Sequence, residues 1–62
     1  MSSGDVLRIL MGKGWYIART RGSHVQMKHG LRKGVVTVPH PKKDLPLGTV
    51  RSIERQSGVT LL

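Results

Sequence analysis

The chain has no cysteine and no phenylalanine among its 62 residues, and only three acidic side chains. Without cysteine, neither a disulfide framework nor a thiolate metal site can brace so short a fold. Chains of about this length bury only roughly 60% of the surface their unfolded state exposes. One thin core is therefore expected, and with it a single domain over residues 1–62. No apolar run is long enough to cross a bilayer, and the Met1-Ser2-Ser3-Gly4 start has no charged stretch leading into an apolar one. A cytoplasmic protein with no membrane partner is the expectation. Aromatics are almost as scarce. Readers of single strands that stack successive bases need several exposed rings, and one tryptophan and one tyrosine cannot supply them. Recognition of a nucleic acid would run through phosphates, the 2′-hydroxyl and shape.

The missing acids exclude a reaction type. Asp5, Asp44 and Glu54 are scattered along the chain, whereas a carboxylate-bound two-metal nuclease centre needs several acids at one point. The three histidines, His24, His29 and His40, match no familiar ligand spacing, so no metal and no cofactor is expected. What the chain has in excess is positive charge. Eleven Lys and Arg against three acids give a formal net charge of +8. In so small a body that charge spreads a positive potential over much of the surface and favours polyanions. Neither candidate helix has the bulky apolar anchors of a membrane-surface helix.

The elements follow from periodicity and punctuation. Ser2 and Asp5 have helix-capping spacing, and Val6, Ile9 and Leu10 recur at helical intervals, with Leu7 and Met11 widening the apolar face. Gly12-Lys13-Gly14 ends that helix. Trp15 to Arg19 reads as a strand with Trp15 and Ile17 inward, and Thr20-Arg21-Gly22 as its turn. From Ser23 to Lys28 the chain alternates, with Ser23, Val25 and Met27 inward and His24, Gln26 and Lys28 in water. His29 to Gly34 reads as a basic loop, and Val35 to Val38 as a strand stopped by Pro39. His40 to Asp44 is extended, with His40 packed against or hydrogen-bonded to that loop. A second helix is expected from about Pro46 to Ser57, with Leu47, Val50 and Ile53 inward and Gly58 closing it. The order is α-β-β-β-α, an α+β fold. Its three-stranded antiparallel sheet has two helices on one face and leaves the other face wet.

His24 is the residue on that wet face with the most chemistry. Imidazole titrates near neutrality and could exchange a proton with an RNA 2′-hydroxyl or leaving oxygen. Arg19, Arg21 and Lys28 could hold the phosphate, and Gly22 would let it approach closely. Lys42-Lys43 and Arg32-Lys33 would extend the same basic surface if the fold brings them near. An exposed strand histidine is also commonly an ordinary polar surface residue, and His29 beside Gly30 reads as a turn residue. A basic module that binds RNA or DNA without cutting it explains the charge and fold equally well.

Gly14-Trp15, Arg19, Gly22-Ser23-His24, Val36-Thr37-Val38-Pro39-His40-Pro41, Asp44-Leu45-Pro46, Gly48-Thr49 and Ile53, in that order, resemble the HicA toxin family over nearly the whole chain. The resemblance implies an mRNA interferase, the toxin of a bacterial toxin–antitoxin pair, with a double-stranded-RNA-binding-domain-like fold. Its catalytic histidine falls on His24. It implies an mRNA substrate cut without the ribosome, and a cognate HicB-like antitoxin that masks His24. The complex would bind operator DNA through the antitoxin. Val25 and Met27 stand where many family members have histidine and an aromatic. The family pattern names no second proton-transfer group, and Tyr16, Lys28 and Arg19 are candidates.

Overall fold

A computed structural model describes residues 1–62. The elements are α1 (Ser3–Gly12), β1 (Trp15–Arg21), β2 (His24–His29), β3 (Arg32–Pro39) and α2 (Leu47–Ser57). The three strands form one antiparallel sheet in the order β1-β2-β3, so β2 is paired on both sides. Both helices pack on the same face of that sheet, α1 against β1 and β3, and α2 against β3. This is the α-β-β-β-α order expected from the sequence, with the other face open to water.

Local chemistry explains where the elements begin and end. Ser2 caps α1 by accepting a hydrogen bond from the Asp5 amide at 3.1 Å, the bond its spacing anticipates. Pro46 caps α2, its fixed φ being suited to a helix start, and left-handed Gly58 closes it by donating its amide to the Glu54 carbonyl. Between the helices, the loop after β3 is stitched back onto α1. Ser3 Oγ is 2.7 Å from His40 Nδ1 and accepts the Lys42 amide at 2.8 Å, while the Ser3 amide donates to the Lys42 carbonyl. His40 thus bonds to α1 and not to its own loop. Ser3 is buried, and these partners satisfy its hydroxyl.

The core is one cluster of eleven side chains: Val6, Leu7 and Leu10 from α1, Trp15, Val25, Met27, Val36 and Val38 from the sheet, Leu45 from the loop, and Val50 and Ile53 from α2. Several sequence expectations are corrected at its margins. Met11 and Leu47 are exposed because the buried faces run through Ser3, Val6, Leu7 and Leu10, and through Val50, Ile53 and Ser57. Leu47 stands in the first turn, where side chains lean past the helix start. Ile17 lies opposite buried Met27, yet it is 44% exposed. It belongs to an edge strand that the helices cover only at Trp15. Ser23 is in the turn and exposed, not inward on a strand. The basic stretch 29–34 is not a loop: β2 runs on to His29, a turn holds Gly30 and Leu31, and Arg32 opens β3.

Glu54 ties residues 61 and 62 to α2. Its Oε2 accepts the Leu61 amide at 2.7 Å and the Leu62 amide at 3.2 Å, and Oε1 pairs with Arg51 at 2.9 Å. Those bonds, the Leu61 amide first, hold its carboxyl below the ordinary value of 4.5. A depressed carboxyl stabilises the fold fully above that ordinary value and loses its contribution as pH falls through the lower folded value. Glu54→Gln should therefore flatten the acid limb of stability below about pH 4.5, read as melting temperature against pH. An unchanged acid limb would show that the tail contact carries no stability. Met27 is fully buried at the centre of the sheet. Met27→Ala should cost about 2–5 kcal/mol, enough to leave so small a domain largely unfolded, as a urea titration would show.

Candidate nucleic-acid interface

The open face is set by burial on the other side. Val25 and Met27 are in the core, so the intervening positions of β2 put His24, Gln26 and Lys28 on the water side. His24 and Lys28 are exposed, and Gln26 is half-buried. The turn before His24 holds two residues. Gly22 has φ +54 and Ser23 has no positive φ, the pattern of a type II′ hairpin turn. A Cβ on Gly22 would meet nothing within 4 Å. The glycine is therefore required there by backbone conformation rather than by crowding, and the space beside it is free.

Arg19 and Arg21 reach the same face through an irregularity. Along an unbroken β1, both would share the face of Trp15 and Ile17 and point towards the helices. The pairing instead runs Ile17 with Met27, then Arg19 with Gln26, leaving Ala18 as an extra residue. A bulge of one residue inverts the alternation beyond it. Arg19 and Arg21 thereby fall on the water side, and Thr20 takes the helix side opposite Val25. Rows then cross the sheet: Arg21, His24 and Pro39 in one, Arg19, Gln26 and Thr37 in the next, and Tyr16 beside Lys28 in a third. Directly opposed side chains start about 4.5–5.5 Å apart and diagonal ones roughly 7–8 Å. Arg21 is thus the immediate neighbour of His24 and Arg19 its diagonal one. Lys28 and Tyr16 lie four residues further along, about 13 Å at the rise of a strand.

Lys42 and Lys43 do not join this face. The His40 amide donates to the Ser23 carbonyl, so the chain leaves β3 at the His24 end of the sheet. It then crosses that end to reach Ser3 on α1. Both lysines are exposed near the His24 end, but in the helix layer. Arg32 starts β3 at the far end, where its guanidinium lies against Gly58.

The other two histidines are occupied elsewhere. His29 Nε2 donates to the Lys13 carbonyl at 2.9 Å, and its Nδ1 accepts the Leu31 amide at 3.0 Å. That pair of partners selects the Nε2–H tautomer. The imidazole also packs edge-on against Trp15, with ring centroids 5.3 Å apart. Gly14 makes this approach possible, since a Cβ there would come within 2.7 Å of Nε2. His29 therefore joins the second hairpin to the end of α1, which is more than a turn residue does. His40 holds the loop to Ser3. No three of the His, Asp and Glu side chains converge as a metal-holding group. The acids are engaged away from the face: Asp5 with Ser2 and Arg8, Asp44 with the Met1 amine, and Glu54 with Arg51. No helix is long and apolar enough to cross a membrane.

Three residues of the face had no role from the sequence. Gln26 and Thr37 make the middle row with Arg19, and Val35 is exposed on β3 one position before buried Val36. Strand alternation was the available signal for all three. The bulge at Ala18 had none.

Comparison with known proteins places this geometry. A family model described as the HicA toxin of bacterial toxin–antitoxin systems matches residues 3–59. Among solved structures, a chain of a "HicA3 and HicB3 toxin-antitoxin complex" is similar at 30% identity, over 100% of both chains, with a TM-score of 0.81. No curated protein matches.

If the open face holds phosphates, Arg19→Gln and Arg21→Gln should each lower the salt dependence of RNA binding by roughly 0.7 on a log–log plot, the share of one single-strand contact. Arg8→Gln, on α1 and paired to Asp5, should leave the slope unchanged. Equal slopes for all three variants would put the phosphates elsewhere.

Proposed function

The chain belongs to the HicA toxin family of bacterial toxin–antitoxin systems, and we propose that it acts there as an endoribonuclease on mRNA with His24 as its proton-transfer group. The observation that carries this reading is the row formed by Arg21 and His24, with Arg19 diagonal to it, on an exposed and strongly cationic sheet face. An RNA phosphate set between those guanidinium groups would bring its neighbouring 2′-hydroxyl to His24. The imidazole takes the hydroxyl proton as the 2′-oxygen attacks phosphorus. The bond to the 5′-oxygen breaks, and that leaving oxygen takes a proton from solvent.

Arginine keeps its proton at any pH a protein meets, so Arg19 and Arg21 stabilise the charge gathering on phosphorus and do not share proton transfer. Tyr16 and Lys28, the other candidates, begin about 13 Å along the strand. His24 is left as the titratable side chain nearest the held phosphate. No carboxylate lies on this face to hold a metal, which supports a reaction without one.

The partner is a HicB-like antitoxin that covers the His24 face. Two considerations support it: the similar solved chain is described as part of a toxin–antitoxin complex, and a surface with net charge +8 suits an acidic cover. Binding of the complex to operator DNA would then run through the antitoxin. Lys42 and Lys43, in the helix layer, would serve only a longer RNA that wraps the end of the sheet.

His24→Ala should lower the rate of RNA cleavage by roughly 10²–10⁴-fold and relieve growth arrest on induction, with cleavage by the parent chain unchanged in chelator. Toxicity that persists in His24→Ala but falls with each basic residue removed would instead favour a module that binds RNA without cutting it.

A further inference from the structure

Of the two aromatic side chains, Trp15 is buried and Tyr16 is 52% exposed. Tyr16 lies opposite Lys28, which shares the water side of β2 with His24 and Gln26. Val35, 42% exposed, precedes buried Val36 where the pairing of β2 with β3 shifts register between Met27 and His29. The end of the open face away from His24 thus presents an aromatic ring beside one ammonium group. The His24 end, by contrast, is charged and polar.

We infer that Tyr16 is a stacking platform for one nucleobase of an RNA strand lying along β2, a few nucleotides from the phosphate held beside His24. The inference rests on the RNA-cleaving reading and names a positioning residue for it. Every base has a π face, so a flat exposed ring gains from stacking whatever the base is, and a neighbouring cation holds the adjoining phosphate. Lys28 stands in that neighbouring place. The spacing of about 13 Å from His24 places Tyr16 too far to share its proton but within the span of a short strand. A single platform positions a strand without the run of rings that a multi-base reader needs.

Binding is measured on a His24→Ala parent, so that RNA stays intact, using a labelled dinucleotide and a labelled dodecamer. Tyr16→Phe on that parent should bind both RNAs as the parent does. Tyr16→Ala should weaken the dodecamer by roughly five- to a hundredfold, the effect of losing one stacked base, and leave the dinucleotide unaffected. In the chain with His24 intact, Tyr16→Ala should raise KM on long RNA and leave kcat and its pH profile in place. The proposal is overturned if Tyr16→Ala binds the dodecamer normally, including the case in which it weakens only antitoxin binding. It is equally overturned if Tyr16→Phe is as weak as Tyr16→Ala, or if either shifts the pH profile. Because Tyr16 is exposed, both variants should keep the parent circular dichroism spectrum. A chain with His24 intact that binds but never cuts RNA would sink the nuclease reading and leave the stacking result standing.

Discussion

Burial of Val25 and Met27 beneath the two helices governs the rest of the molecule. Each is worth about 1.5–3 kcal/mol when fully removed from water. A slip of one residue in β2 would expose both and bury His24, Gln26 and Lys28 in their place. Because β2 is the central strand, its register also dictates the partners on either side: Val38 and Val36 on β3, Thr20 and Ile17 on β1. The core chooses the water side of the sheet, and the water side carries the chemistry. Two aliphatic side chains on one face thus hold His24 in place on the other.

The second constraint is local. At Ala18 the bulge lets β1 begin with Trp15 locked under α1 and end with Arg19 and Arg21 in water. Without it, burying Trp15 would carry both arginines to the helix side, and His24 would have no cationic neighbour on β1. The turn at Gly22-Ser23 then returns the chain directly, so Arg21 and His24 face each other across the hairpin. At the far edge, Pro39 has no amide to donate, and the Thr37 amide reaches Gln56 on α2 at 3.4 Å. That leaves β1 as the less protected edge of the sheet.

The two structural histidines show how a thin core is supplemented by polar ties. His29 links the second hairpin to the end of α1, and His40 links the loop after β3 to its start. Ser3, buried and fully bonded, brings that loop against the helix and seats Leu45 in the core. Each tie sits at one end of the sheet, where eleven buried side chains reach least far. They also leave His24 as the histidine whose ring is committed to neither tie, on the face where a polyanion can approach.

The sequence by itself determined the element order, the inward pair Val25 and Met27, the exposure of His24, the helix caps at Ser2 and Gly58, and the basic character of the surface. Periodicity, capping chemistry and composition are local properties, and they act over a few residues wherever the chain lies. Motif order also carried the family resemblance, which composition alone would not have done. Only the tertiary structure decided that Arg19 and Arg21 share a face with His24, that Lys42 and Lys43 do not, and that Ile17, Leu47 and Met11 stay in water. Those outcomes depend on where a bulge is placed and on how far two short helices extend over three strands. Both are settled by the packing of residues distant in sequence, which no local pattern of side chains encodes.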